Sequence, residues 1–225
     1  MQIRKIFLAG FFAVLAGCSA GAPGERRGKD VYPDFAALRA ANTAGLDYSR
    51  EAYDRGSKVA VFAIHGGDIE RVTARVARRV AGKDFNLYIF NGWQGEDNFK
   101  LHITATHFDD PAAVRLATSS VLGISIHEQA GHGSWACIGG RNTAAAKLVA
   151  IRLESAGFAT ELPCARLPGI DDRNIVNLPS AGGVQLEITP RLLNTLDKDA
   201  AELSKFSEAL RAAATEYLGA AADTK

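Results

Sequence analysis

Apolar positions in this chain fall into short runs separated by longer stretches with helical spacing. The clearest run is Val59-Ala-Val-Phe-Ala-Ile64, unbroken and rich in β-branched residues, which predicts a buried strand. It stops at His65. Gly66 and Gly67 then predict a tight turn, and Asp68 is the expected N-cap of a helix in which Ile69, Val72, Val76 and Val80 share one face. Arg71, Arg75, Arg78 and Arg79 fall mostly on the other faces and read as a solvated surface. Asn86–Phe90 predicts a strand, with Asn91-Gly92 as its turn signal. Leu101–Thr106 alternates and predicts a third strand, and Val121–Ile126 a fourth. Between them Pro111 suits the first turn of a short helix reaching about Ser119. Cys137–Gly140 reads as a short strand. Asn142 can cap a helix from Thr143 to about Ser155, ended by Gly157. Phe158–Leu162 is strand-like, Pro163–Leu178 is a loop, and Val184–Thr189 alternates as a strand. From Pro190 the pattern is helical to about Ala222, broken near Lys198. Strands alternating with helices give an α/β class with a mixed, mostly parallel sheet.

At 225 residues the chain supports one domain with a substantial core. It is 47% hydrophobic and 23% charged, a globular composition. The formal net charge of +1 argues against a nucleic-acid partner, which would call for a strong basic excess. The first residues stand apart from the fold. Arg4 and Lys5 form a positive n-region and Ile6–Leu15 an apolar h-region, too short for a membrane span of about 20 residues. The segment ends in Leu15-Ala-Gly-Cys18, which resembles the bacterial lipobox. That resemblance implies cleavage before Cys18 and lipid attachment to its thiol. The alternative is a plain secretory signal with an incidental cysteine. Ser19, by the same analogy, favours the outer membrane, facing the periplasm. The organisation expected is thus a signal over 1–18, a tether over 19–30 rich in Gly, Ala and charge, and a domain over 31–225. Cys137 and Cys164 remain, either bridged in an oxidising compartment or buried as two free thiols.

The chemistry-bearing residues gather at predicted strand ends. His65 closes the first strand and Glu70 follows five residues later; Val121-Leu-Gly-Ile-Ser-Ile-His127 also ends in histidine. Open α/β sheets place their sites outside the carboxyl ends of strands. Two imidazoles and a carboxylate suit zinc and leave a fourth tetrahedral position for water. Glu187 lies in an apolar strand beside Leu186 and Ile188, where a carboxylate is costly without a role or a partner; a buried ion pair with Arg191 is the bland alternative. His102 and His107, five apart on a predicted strand, would point to opposite faces. His107, beside Asp109 and Asp110, is the expected site-edge residue and His102 a core histidine. His132 sits in a loop and is expected to be exposed.

These segments carry a resemblance. Ala63-Ile-His-Gly-Gly-Asp-Ile-Glu70, Leu87-Tyr-Ile-Phe-Asn-Gly92, Leu101-His-Ile-Thr-Ala-Thr-His-Phe-Asp-Asp-Pro111, Gly123-Ile-Ser-Ile-His127, Gly139-Gly140 and Asn174-Ile-Val-Asn177 through Gly183–Arg191 resemble, in order, the poly-γ-glutamate hydrolase family. The resemblance implies a single three-layer domain like the zinc carboxypeptidases. It implies His65, Glu70 and His127 as ligands of Zn2+, and Glu187 as general base. Glu128 stands where the family commonly has glycine, which suggests a different site rim. An anionic substrate needs cationic or amide donors, and His107, Arg141, Asn174 and Arg191 are the candidates, with Arg173 nearby.

The expected function is a zinc-dependent hydrolase of γ-glutamyl amide bonds, monomeric and lipid-anchored in the cell envelope, acting on a glutamate-rich or γ-glutamyl peptide or polymer. The alternatives are a peptidoglycan stem-peptide amidase or carboxypeptidase, a metal-binding envelope lipoprotein without turnover, or a purely structural lipoprotein.

Overall fold

A computed structural model describes residues 30–222, so Cys18 and the lipobox lie outside the described residues. Seven strands form one sheet: β1 (Tyr48–Tyr53), β2 (Val59–Gly67), β3 (Asn86–Gly92), β4 (Leu122–Glu128), β5 (Trp135–Gly139), β6 (Ala159–Glu161) and β7 (Gly183–Ile188). Their spatial order is β1-β3-β2-β4-β7-β5-β6. Strands β3, β2, β4 and β7 run parallel, while β1 and β5 pair antiparallel at either side and β6 follows β5. The sheet is mixed and mostly parallel, as the alternation of elements predicts.

Central strands with unbroken apolar sequences are buried on both faces. On one face, Val59, Val61, Ile124, Ile126, Val184 and Leu186 pack against helices α2 (Thr73–Ala81), α4 (Thr143–Ser155), α5 (Pro190–Lys198) and α6 (Ala200–Ala222). On the other, Ala60, Phe62, Tyr88 and Phe90 pack against α1 (Phe35–Ala41) and α3 (Pro111–Thr118). Three layers result. Strand β2 is followed through α2 by β3 on one side, and β3 through α3 by β4 on the other, so the strand order reverses between β2 and β4. That reversal opens a crevice at their carboxyl ends.

Several boundaries differ from those the pattern predicts. Gly66 and Gly67 do not turn; they stay in β2, paired with Asn91 and Gly92. The helix therefore starts late, at Thr73, and Asp68 does not cap it: Val72 occupies that position with φ 76° and no capping side chain. The strand predicted over 101–106 is absent. Gly95–Leu101 forms a 3₁₀ helix and the chain beyond it is irregular. The alternation there is real, since Leu101 and Ile103 enter the second core. No central edge is open to it, because β3 is already paired on both sides. Conversely β1 and α1 carry no strong signal. In β1 only Tyr48 is buried, and its polar Ser49-Arg-Glu51 sequence is typical of a strand at a sheet edge.

Close packing over the site face depends on glycine at one register pair. Gly123 and Gly183 are partners across β4 and β7. A Cβ on either would lie 2.5 Å or 2.2 Å from the Val176 carbonyl oxygen, so their bareness lets the 169–177 segment lie on the sheet. Cys137 and Cys164 form a disulfide, 27 residues apart in sequence, that ties β5 to the start of that segment. Replacing both cysteines by alanine is expected to lower the unfolding free energy by about 3–4 kcal/mol, the loop-closure entropy of a cross-link of this span. Urea denaturation of oxidised protein and double variant reads the difference, and coincident midpoints would contradict it.

Candidate metal centre and cleft

Each central residue of the site is aimed by a specific backbone feature. In β2 the pairing with β3 shifts between Ala63 and Gly66, whose partners Ile89 and Asn91 are only two apart. The extra residue is a β-bulge, and bulges redirect side chains. Ile64 and His65 consequently both lie on the site side of the sheet: Ile64 in the second core, His65 against Ile103 and His102. The chain then folds back on itself, the Glu70 N–H donating to the His65 carbonyl at 2.7 Å. This returns Glu70 over His65. On β4 and β7, His127 and Glu187 are register partners and so share a face, as do Ser125 and Gln185.

His65, Glu70 and His127 converge, with one ligand atom from each lying within 4.8 Å of the others. His65 Nδ1 is 3.0 Å from Glu70 Oε1 and 3.2 Å from His127 Nδ1, and His127 Nδ1 is 3.5 Å from Glu70 Oε2. His65 Nε2 lies 2.8 Å from the Ile103 carbonyl oxygen, an acceptor only, so that nitrogen carries hydrogen. In the neutral ring Nδ1 then presents a lone pair to a carboxylate oxygen and a second imidazole nitrogen. With Glu70 and His127 it forms a group that could hold a metal ion. Their spacing suits one, because corners of a tetrahedron with bonds near 2 Å are about 3.3 Å apart. Burial raises the Glu70 carboxyl pKa, but His65 and His127 outweigh it and hold the group well below the usual carboxylate range. A second hydrogen bond, from the Glu128 N–H at 3.0 Å, fixes Glu70 Oε2.

Glu187 sits beside this group, buried at 6% exposure. Gln185 Nε2 donates to its Oε1 at 2.9 Å, and Asn174 Nδ2 donates to Gln185 Oε1 at 2.7 Å. The carboxylate is thus held at the end of a three-residue amide relay that starts on the 169–177 segment. A cleft of about 840 Å³ opens over the centre, lined by His65, Glu70, His127 and Glu187 together with Asp30, His102, Glu128, Asp171, Asn174 and Gln185 among others. Among the described residues, no lysine or arginine lines it.

The other expected site residues divide. Asn174 lines the cleft, and its amide serves Gln185. Arg141 is exposed and bound to Asp172, Arg173 pairs with Asp171 at 2.9 Å, and Arg191 is exposed on α5 outside the lining. The basic rim expected from the sequence is not formed by these side chains. His107 is half exposed and outside the lining, whereas His102 is in it, stacked on His65 with ring centroids 4.0 Å apart. The two histidines exchange the roles the sequence suggested because no strand carries them. His132 is exposed. Burial, then the charge of His65, pushes the His102 pKa down to about 4 against the pull of Asp30. Burial, then the Glu70 charge, pushes Glu128 up to about 7. Asp30 and Gln185 carry no site expectation from the sequence, and His102, expected in the core, lines the cleft instead. Gln185 had a signal, lying two residues before Glu187 and hence on its face.

A family model described as poly-gamma-glutamate hydrolase matches residues 32–216. Two Bacillus subtilis (strain 168) proteins are similar in sequence: YndL, 35% identical over 164 residues, and YmaC, 33% identical over 164. The matched stretch covers 72% of this chain and 64% of YndL, and 71% of this chain and 69% of YmaC. Among solved structures, a bacteriophage poly-γ-glutamate hydrolase superposes with a TM-score of 0.80 and 32% identity, covering 85% of this chain and 99% of that one. A zinc-free form of YndL superposes with a TM-score of 0.75 and 30% identity, covering 83% and 98%. The resemblance, the mixed sheet and the three layers agree across sequence and structure, and the chain belongs to the poly-γ-glutamate hydrolase family.

Proposed function

We propose that this protein is a zinc-dependent hydrolase of γ-glutamyl amide bonds. The observation that carries the reading is the convergence of two imidazole nitrogens and a carboxylate at the carboxyl ends of β2 and β4, one strand from a buried, oriented glutamate. His65, Glu70 and His127 would hold the metal, a donor set that suits zinc, and a zinc-free structure of the relative YndL supports the choice. Zinc, when bound, supplies Lewis acidity that polarises an amide carbonyl and lowers the pKa of water towards about 7.

The chain's own residues supply the rest. Glu187, fixed by Gln185, takes the proton of the attacking water and returns it to the leaving amine. His65 keeps its Nδ1 lone pair directed into the site because Nε2 is committed to Ile103. The cleft positions the chain on either side of the bond. A binding protein without turnover has no use for a general base held by a dedicated amide relay, which favours the enzyme.

A second reading concerns the substrate. Poly-γ-glutamate is a polyanion, yet among the described residues the cleft lining carries Asp30, Glu70, Glu128, Asp171 and Glu187 and no lysine or arginine. Electrostatic complementarity favours a γ-glutamyl bond whose amine side bears an ammonium group, as in peptidoglycan stem peptides built with a diamino acid. Together with the lipobox-like Leu15–Cys18, this supports an anchored envelope enzyme acting on cell-wall peptide.

Three outcomes are expected. Purified protein holds near one zinc per chain by elemental analysis, and His65→Ala/His127→Ala loses it; a folded wild type that takes up no zinc removes the hydrolase reading. Glu187→Gln retains zinc and loses about 10²–10⁴-fold in kcat/KM; undiminished hydrolysis would sink the base assignment. A γ-glutamyl-lysine peptide is cut with higher kcat/KM than a γ-glutamyl-glutamate peptide of equal length, and the reverse order restores the polyanion as substrate. Separately, Cys18→Ala moves the protein from the membrane to the soluble envelope fraction; unchanged membrane association would count against the anchor.

A further inference from the structure

The segment 102–104 sets the orientation of His65, yet nothing regular holds it. It belongs to no strand, so no β-ladder fixes its backbone. It makes two contacts with His65: the Ile103 carbonyl accepts from Nε2 at 2.8 Å, and the His102 ring stacks on the imidazole at 4.0 Å between centroids. A carbonyl that moved by a fraction of an ångström would release the tautomer and turn the ring.

Asp30 clamps this segment on both sides of Ile103. Its Oδ1 lies 2.8 Å from His102 Nδ1, and its Oδ2 accepts from the Thr104 N–H at 2.8 Å. The carboxylate spans residues i−1 and i+1 around the one carbonyl that matters. Phe99 closes the other face of His102, with centroids 4.7 Å apart. Asp30 lies two residues before the matched family span and at the end of the expected tether, where no site residue was sought. Its side chain is only 10% exposed.

We infer that Asp30 is a positioning residue of the metal centre, acting through Ile103 and His102 on His65, so that the tether's last residue is part of the site. The inference rests on the metal reading of His65, Glu70 and His127. Partners beyond the ligand shell change metal affinity by about 10–100-fold when removed. One step further out, Asp30→Ala is expected to weaken zinc binding by about tenfold. Asp30→Asn, which keeps one acceptor oxygen, is expected to weaken it less.

The test is zinc affinity of the full-length chain in detergent, measured with zinc alone against a competing chelator, beside the melting temperature of the metal-free protein. The control is Asp34→Ala. Asp34 caps α1 in the same N-terminal stretch, accepting from the Ala37 N–H at 2.7 Å, and among the described residues it makes no hydrogen bond or ion pair with 102–104. Weakened zinc binding in both Asp30 variants, with Asp34→Ala near wild type and metal-free melting points matched between Asp30 variants and wild type, supports the inference. Unchanged affinity in Asp30→Ala overturns it. So does an equal loss in Asp34→Ala, or a loss that merely tracks a lowered metal-free melting point, since either would mark general loosening. A wild type that binds no zinc overturns the metal reading itself, a result distinct from zinc-binding wild type with indifferent variants.

Discussion

The hydrogen bond from His65 Nε2 to the Ile103 carbonyl is the constraint on which the site depends. It assigns the proton to one ring nitrogen and leaves the lone pair of the other facing Glu70 and His127. It also explains an otherwise unfavourable arrangement, in which a carboxylate oxygen and two imidazole nitrogens approach within 3.5 Å of one another. A single proton satisfies only one of those contacts at a time. A divalent cation would satisfy all of them at once, which supports the proposed metal site. The β-bulge makes the bond possible, since regular alternation from Ile64 would send His65 into the opposite core.

Much of this was legible from residue order alone. Strands β2, β3, β4 and β7 announce themselves by β-branched runs, and their terminal His65, His127 and embedded Glu187 follow from where those runs sit. What the sequence hid is what tertiary pairing decides. The 101–106 stretch alternates like a strand because Leu101 and Ile103 go inward, but alternation records burial and not hydrogen bonding. The glycines after His65 look like a turn because their value to the fold is bareness: a Cβ on Gly67 would lie 2.3 Å from the Gly92 carbonyl oxygen. Strand β1 is nearly mute because an edge strand needs only one buried residue in six.

The expected basic rim failed for a related reason. Arg141 and Arg173 lie in loops near the site, yet each pairs with an aspartate of the 169–177 segment, Asp172 and Asp171. Proximity in sequence to a site says little about which way a long, well-hydrated cation turns. The lining formed by the described residues is rich in acceptors.

Glu187 shows how the remote parts of the domain serve the centre. Its register partner on one side is His127 and on the other Cys137. The disulfide joins Cys137 to Cys164, and the chain runs from there to Asn174, whose amide holds Gln185, which holds Glu187. Strand, cross-link, loop and amide relay therefore close a ring around one carboxylate. Gly123 and Gly183 allow the loop to lie on the sheet closely enough for the ring to close. Two amide side chains, a disulfide and a bare glycine pair all bear on the direction of this buried glutamate. Such preorganisation matters where the direction of a carboxylate oxygen matters, and it supports the base role proposed for Glu187.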